Sequence, residues 1–319
     1  MCSSDLVGLT ALLAARLLGV RCTGVFHTDF AKQAEEVTGD KHVIDIVGAY
    51  TRWFYARMDE ILVPSRFTLT RLADEGLDPS RMRLLRRGLD DAFQRVGEQP
   101  LLKAKEQCFR EGVPTLLYSG RLGKEKNLDL LVAVFDRLRQ DDVEVRLLFA
   151  GEGPERLALE KALAPHGDRV VFTGRLEREA LKAVYQLSDA LVFPSTTDTF
   201  GMSVLEAQSL GLPCVVSDSG GPQEIVLDGK TGYVLDAASA ELWAETCRKL
   251  CEARTHNPIG FQAWRDEIRT AFAGRLSWKH LIDEITEKRE ATTHCGRASA
   301  ASETSPLRSR LSVQRPVLS

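Results

Sequence analysis

Between residues 114 and 236 the chain alternates short apolar runs with segments of helical period. The runs are "TLLYSG", "VRLLFAG", "RVVFTG", "ALVFP", "PCVVSD" and "GYVL". Runs this short and this uniformly apolar suit strands covered on both faces, which happens when helices flank a parallel sheet. The pattern therefore predicts an α/β unit whose strand carboxyl ends form a ligand crevice.

Ahead of residue 98 the reading is sparser: a helix at about 6–19, a strand "CTGVFH", a long helix at about 43–58, a strand "EILVPS", a helix, and a strand "MRLLRRG". Three strands make only part of a doubly wound lobe. The expected fold class is α/β with two Rossmann-like doubly wound lobes, the first incomplete, so that the chain opens partway through its first domain. A length of 319 residues suits two domains and a tail. The expected divisions are 1–97 for a partial N-terminal lobe, 98–262 for a second, complete lobe, 263–290 for C-terminal helices returning toward the first lobe, and 291–319 for a disordered tail. Ser277 is a candidate N-cap for the last of those helices. In "YTRWFYARM" and its surroundings, Ile46, Tyr50, Phe54 and Met58 fall four apart, the stripe of a helix packed on the sheet.

Composition removes several function classes. A net charge of −3 offers no cationic field for nucleic acid. Seven scattered cysteines fit neither a disulfide framework nor a zinc pattern, which places the chain in the reducing cytoplasm with its thiols structural. The apolar stretch from Val7 to Val20 is too short to span a membrane and contains Arg16. The tail carries Arg297, Arg308, Arg310 and Arg315 against Glu303; an idle tail is favoured over a weak cationic tether.

Chemistry-bearing residues gather at strand ends. In "YSGRLGKEKNLDLL" a strand hands over at Gly120 to a loop with Arg121, Lys124 and Lys126, and a helix begins near Asn127. A fork-shaped guanidinium and ammonium groups beside a helix start suit a diphosphate; a solvated basic loop is the plain alternative. In "SDSGGPQEIV", Gly220 and Gly221 precede a helix expected from Pro222, as a close-approach turn or simply a tight one. "FAGEGPERL" is not a dinucleotide fingerprint, because Arg156 stands where the third glycine belongs and the loop is the second of its lobe. In "PSTTDTFGMSVLEAQSLGLP", Asp198 lies in a loop after a strand and Glu206 one turn inside the next helix. Two such acids can grasp ribose and sugar hydroxyls, act as a hydrolytic pair, or serve only as a turn former and a helix-start charge.

In the first lobe, "VFHTDF" puts His27 and Asp29 just after a strand. Each is equally a local cap on residue chemistry, and the strand-end position favours the cleft for His27. Ser65 in "VPSRF" and Arg87 in "LRRGLD" are cleft candidates on the same ground.

The ordered series "SGRL…EKN", "GEGPE", "VFTGRL", "DALVFPS", "DTFGMSVLEA", "GLPCVVSDSGGPQEIV" and "GKTGYVL" resembles the family 4 retaining nucleotide-sugar glycosyltransferases of the GT-B fold, over residues 20–290. The resemblance implies that Arg121 and Lys126 bind the donor diphosphate, with Gly120 beside them. It implies that Asp198 and Glu206 bind donor sugar and ribose, that the backbone of Phe200, Gly201 and Met202 faces the transferred sugar, and that the base rests near Arg175 and Leu176. It further implies that His27 touches the sugar or its reaction centre, and that no metal or cofactor is required, the nucleotide sugar being a substrate. The partners it implies are a nucleotide-sugar donor and an acceptor hydroxyl on a sugar or glycolipid, with peripheral contact at the inner membrane surface. Two departures stand out. The first acid of the family's paired-Glu pattern is Asp198, as in a subgroup containing mannosyl-, glucosyl- and sulfoquinovosyl-transferases, and the Gly-rich loop expected near the family's amino terminus is missing. Two other functions remain open at this point: a donor-binding fragment without transfer activity, and a glycoside hydrolase or phosphorylase using Asp198 and Glu206.

Overall fold

The computed structural model describes residues 4–272, apart from residues 86, 90–92, 94 and 95. The expected helix near Ser277 and the tail from 291 lie outside the described residues.

The first lobe is built on β1 (Thr23–Val25), β2 (Glu60–Val63) and β3 (Met82–Leu84), a parallel sheet in that order. Its helices are α1 (Leu6–Leu18), α2 (Phe30–Thr38), α3 (Lys41–Tyr55) and α4 (Arg66–Asp74). Each begins at a side chain that accepts a backbone N–H: Asp5, Asp29, Asp40 and Ser65 cap the four in turn. Phe54, Met58, Ile61, Val63 and Leu72 are fully buried between helices and sheet. The expected α3 stripe is shorter than its period: Ile46 is 70% exposed while Phe54 and Met58 are buried. Among the described residues β1 pairs on one side only, and α1 leaves Leu6, Val7, Leu17 and Leu18 facing solvent.

The second lobe contains all six expected strands: β4 (Thr115–Ser119), β5 (Arg146–Ala150), β6 (Val170–Gly174), β7 (Ala190–Phe193), β8 (Cys214–Ser217) and β9 (Gly232–Leu235). They pair in parallel in the order β6-β5-β4-β7-β8-β9. Flanking them are α5 (Glu98–Cys108), α6 (Leu128–Gln140), α7 (Arg156–Leu163), α8 (Arg178–Leu187), α9 (Met202–Ser209), α10 (Ala240–His256) and α11 (Pro258–Phe272). The strand order reverses between β4 and β7, so the loops leaving those two neighbours diverge and open a crevice at their carboxyl ends. That crevice receives the loops carrying Lys126 and Asp198.

Two expectations about the second lobe are corrected. No helix begins at Pro222; residues Pro222–Glu224 form one 3₁₀ turn, because the chain must reach β9 within a few residues. The division at 262 falls inside α11, whose Arg265 side chain is buried and donates to the carbonyls of Gln186, Ser188 and Gly211, tying this helix to the second lobe.

Cys22, Cys108, Cys214, Cys247 and Cys251 are buried thiols outside any disulfide. Burial pushes the Cys247 thiol up to about 12, and Cys214 and Cys251 upward as well, which leaves them unreactive at neutral pH. No helix among the described residues is long and apolar enough to cross a membrane.

Candidate functional site

The cationic loop starts where β4 stops. Tyr118 is buried in that strand, and its hydroxyl donates to the Arg121 carbonyl at 2.8 Å, fixing the loop's path. The loop from β5 lies directly on it. A Cβ at Gly151 would stand 1.9 Å from the Gly120 carbonyl oxygen, and one at Gly153 would stand 2.2 Å from that of Leu122. The glycines of "GEGPE" are thus there for contact between two loops.

Residues Lys124–Lys126 form a 3₁₀ turn that hands over to α6 at Asn127, a left-handed residue at φ 53°. This turn aims Lys126 across the crevice. Its Nζ lies 3.0 and 2.9 Å from the two carboxylate oxygens of Asp198, both side chains being mostly buried. Arg121 behaves differently: its side chain is half exposed and its ion pair is with Glu125 at 3.6 Å. The structure joins Lys126 to Asp198 and leaves Arg121 at the loop's outer side.

The acid loop after β7 is held from both flanks. The Thr197 hydroxyl donates to the Glu125 carbonyl at 3.1 Å, and the Gly221 N–H donates to the Asp198 carbonyl at 2.7 Å. Gly220 and Gly221 are both buried, and a Cβ at Gly221 would lie 2.3 Å from the Thr199 carbonyl oxygen. The two glycines make a close-approach turn that seats the β8 loop against the backbone of the acid loop. Phe200 points its ring into the core. Gly201, at φ 97°, turns the chain into α9, which starts at Met202 and leaves its first N–H groups uncapped by any side chain.

Glu206 projects from α9 into a pocket of about 390 Å³ that Arg175, Leu176, Arg178, Met202 and Leu89 also line. Burial raises its carboxyl above the usual carboxylate range; a hydrogen bond from Tyr185 at 3.1 Å and the positive Arg178 oppose that rise. The pocket brings together Arg175, Leu176, Met202 and Glu206, residues that lie in two separate loop-helix segments of the sequence.

The first lobe reaches the same crevice through its backbone. The His27 side chain is exposed and its Nδ1 lies 3.2 Å from the Val25 carbonyl, while the His27 carbonyl accepts from the Thr199 hydroxyl at 3.3 Å. Thr68 adds a bond to the Thr199 carbonyl at 3.4 Å. Glu224 crosses the other way, accepting from the N–H groups of Arg66 and Phe67 at 3.0 and 2.7 Å at the start of α4. Two cleft candidates are corrected. Asp29 caps α2 and pairs with Arg71, and Ser65 is buried as the cap of α4, so both side chains are committed locally. Arg87 is half-buried with no ion-pair partner among the described residues, and desolvation pulls its pKa down. The sequence reading passed over Tyr118, Tyr185, Thr199 and Glu224. Tyr118 sits inside an apolar strand run and Tyr185 on the apolar side of an amphipathic helix, and in both places a phenol reads as core.

Among the described residues no group of three His, Cys, Asp or Glu side chains is arranged to hold a metal ion.

Residues 102–258 match the family model of glycosyl transferases group 1, and residues 3–93 match that of glycosyltransferase family 4. The chain is 32% identical over 298 residues to a GDP-mannose-dependent alpha-mannosyltransferase of Mycolicibacterium smegmatis, covering 91% of this chain and 72% of that protein. This chain belongs to the family 4 glycosyltransferases. A sulfoquinovosyl transferase of Arabidopsis thaliana is 31% identical over 285 residues, covering 86% of this chain and 52% of the plant protein, so the chain spans about half of that relative's length. Among solved structures, the glycosyltransferase fold is shared with Anabaena HepE in complex with UDP-glucose, at TM-score 0.73 and 15% identity over 89% of this chain and 76% of that one. It is also shared with sucrose-phosphate synthase of Thermosynechococcus elongatus, at TM-score 0.72 and 20% identity over 90% and 72%. The two parallel-sheet lobes are those of the GT-B glycosyltransferases.

Proposed function

We propose that this chain moves a hexosyl group from a nucleoside-diphosphate sugar to an acceptor hydroxyl with retention at the anomeric carbon. The observation that carries the reading is the Lys126–Asp198 pair at the strand-order reversal, one loop from the Glu206 pocket. A cation and an acid side by side match a substrate whose diphosphate and sugar hydroxyls are neighbours. In the step proposed, the bond from the anomeric carbon to the diphosphate oxygen breaks. The acceptor oxygen bonds to the same face, and its proton passes to the departing diphosphate.

In this reading Lys126 and Arg121 stabilise the charge growing on the leaving group. At an effective dielectric near 20, one charge pair at about 4 Å contributes roughly 4 kcal/mol before desolvation, enough for the work without a metal. The uncapped start of α9 adds N–H donors on the same side. Arg121 would have to leave Glu125 for the diphosphate, a move its half-exposed side chain permits. Asp198 takes the sugar, Glu206 the ribose, and the surface of Arg175 and Leu176 the base. Relatives named for mannosyl and sulfoquinovosyl transfer support a hexosyl donor. The buried thiols support a cytoplasmic setting, and an acceptor on a sugar or glycolipid places the reaction near the membrane's inner surface.

The test is transfer from GDP- and UDP-hexoses to a panel of sugar and glycolipid acceptors, alongside calorimetric binding of GDP and UDP. Turnover with retained configuration supports the reading. Binding without turnover on any acceptor supports the donor-binding fragment instead, and glycoside cleavage without a nucleotide donor supports the hydrolase.

A further inference from the structure

Tyr185 is fully buried in α8, with its hydroxyl between two elements of the site. The phenol oxygen lies 3.1 Å from Glu206 Oε2 on α9 and 2.9 Å from Ser119 Oγ, at the last residue of β4. A phenol has one proton and cannot give it to both. An ionised carboxylate can only accept, so the phenol proton goes to Glu206 and the serine hydroxyl turns its own proton to the tyrosine oxygen. The result is a directed chain, Ser119 to Tyr185 to Glu206, running from the strand end that launches the cationic loop to the acid on the neighbouring helix. A phenol needed only as core filling could be a phenylalanine; here its hydroxyl holds one oxygen of a carboxylate that burial desolvates and that Arg178 also faces.

We infer that Tyr185 is a positioning residue for nucleoside recognition: anchored by Ser119, its hydroxyl holds one oxygen of Glu206 so that the other is presented to the vicinal hydroxyls of the donor's ribose. The inference rests on the proposed placing of the nucleoside in the Glu206 pocket. It explains why a carboxylate can stay ionised in a site that desolvates it, since a charge-assisted hydrogen bond is stronger than a neutral one. It also couples the two halves of the donor site, because a shift in β4's end would reach Glu206 through one hydroxyl.

The experiment compares calorimetric binding of GDP and UDP with binding of their 2′,3′-dideoxy forms, on the whole chain and on Tyr185→Phe, Ser119→Ala and Glu206→Gln. Tyr185→Phe should weaken the ribonucleotide about tenfold, the scale of one hydrogen bond to a charged group. It should leave the dideoxy form unchanged. The acid limb of ribonucleotide binding should also move to higher pH, because the carboxyl has lost the donor that favoured its ionised form. Ser119→Ala should do the same more weakly. Equal weakening of both nucleotide forms would mark Tyr185 as merely structural and overturn the inference. A ribose-selective loss in Glu206→Gln with none in Tyr185→Phe would overturn it while leaving the nucleotide site standing. If the wild-type chain bound neither GDP nor UDP, the site reading and the inference would fall together.

Discussion

Lys126 and Asp198 meet across the reversal of strand order, the ammonium within 3.0 Å of both carboxylate oxygens although the two residues are 72 positions apart in the chain. Each partner thereby holds the other in place across the crevice. On the proposed reading, a donor gives Lys126 a second anion to share and lets Asp198 turn its remaining lone pairs to sugar hydroxyls. Lys126→Ala should lower kcat about 10²–10³-fold, the cost of losing one preorganised charge contact to a transition state. Asp198→Asn should raise the KM for donor as well. Because the pair is mostly buried, either change leaves its partner unsatisfied and should also cost about 1–3 kcal/mol of stability. Initial rates at saturating donor and thermal melts separate the two effects.

Glu206 gives a pH-dependent prediction. Burial lifts its carboxyl above the unfolded value of 4.5, so the folded state holds the proton more tightly than the unfolded chain does. Below that value both states are protonated and no cost arises. As pH rises from there through the raised folded value, folded stability is lost, and the loss persists at neutral pH. Glu206→Gln keeps a carbonyl for Tyr185 and never ionises. Its melting temperature should exceed that of the wild type at pH 7, and the gap should close as pH falls toward 4. A lower melting temperature at pH 7 would refute this.

Much of this site was legible because its residues sit at strand ends. Lys126, Asp198 and Glu206 follow apolar runs that could only be buried strands, and chain order then puts them on one sheet edge. Ser65 and Asp29 show the limit of that logic. A Ser or Asp where a strand passes to a helix is equally a cap and a cleft residue, and the backbone N–H groups of Thr68 and Lys32 settle it for the cap. Helix α2 went unread because "AKQAEEV" offers few apolar positions for a period. Pro222 announces a helical turn but not its length. No local pattern reports that Tyr185 in one helix will meet Glu206 in the next, since that depends on how both pack over β4 and β7.

Gly221 tests whether the acid loop is held by packing. Its φ of −70° suits any residue, so a substitution there is not strained by conformation. The obstacle is contact: an added methyl would meet the Thr199 carbonyl oxygen at 2.3 Å and the Phe200 Cα at 2.6 Å, backbone atoms that cannot rotate away. Gly221→Ala should therefore destabilise the fold by about 1–3 kcal/mol, the range for overpacking. It should also lower kcat, because the loop that must move carries Asp198. Gly229→Ala, where nothing lies within 4 Å, should leave kcat near wild type and cost stability only through its φ of 71°. Melts and initial rates on the two variants distinguish contact from generic loss of glycine.

Glu224 tests the contact between the lobes. Its two oxygens accept from successive N–H groups at the start of α4, while Ser65 already caps the same helix through Thr68. The helix does not need Glu224 to form. What Glu224 adds is a charge from the second lobe set against the helix's positive end, favourable by about 0.3–1 kcal/mol in an exposed position. That is too little to change folding and enough to shift a balance between open and closed lobes by up to about fivefold, since about 1.4 kcal/mol is tenfold. Glu224→Ala should leave the melting temperature within a few degrees of wild type, while small-angle scattering shows a larger radius of gyration and kcat/KM for the acceptor falls. High salt should narrow the difference between variant and wild type, because the contact it screens is the one removed. A variant with unchanged scattering but reduced stability would place the role of Glu224 in α4 alone.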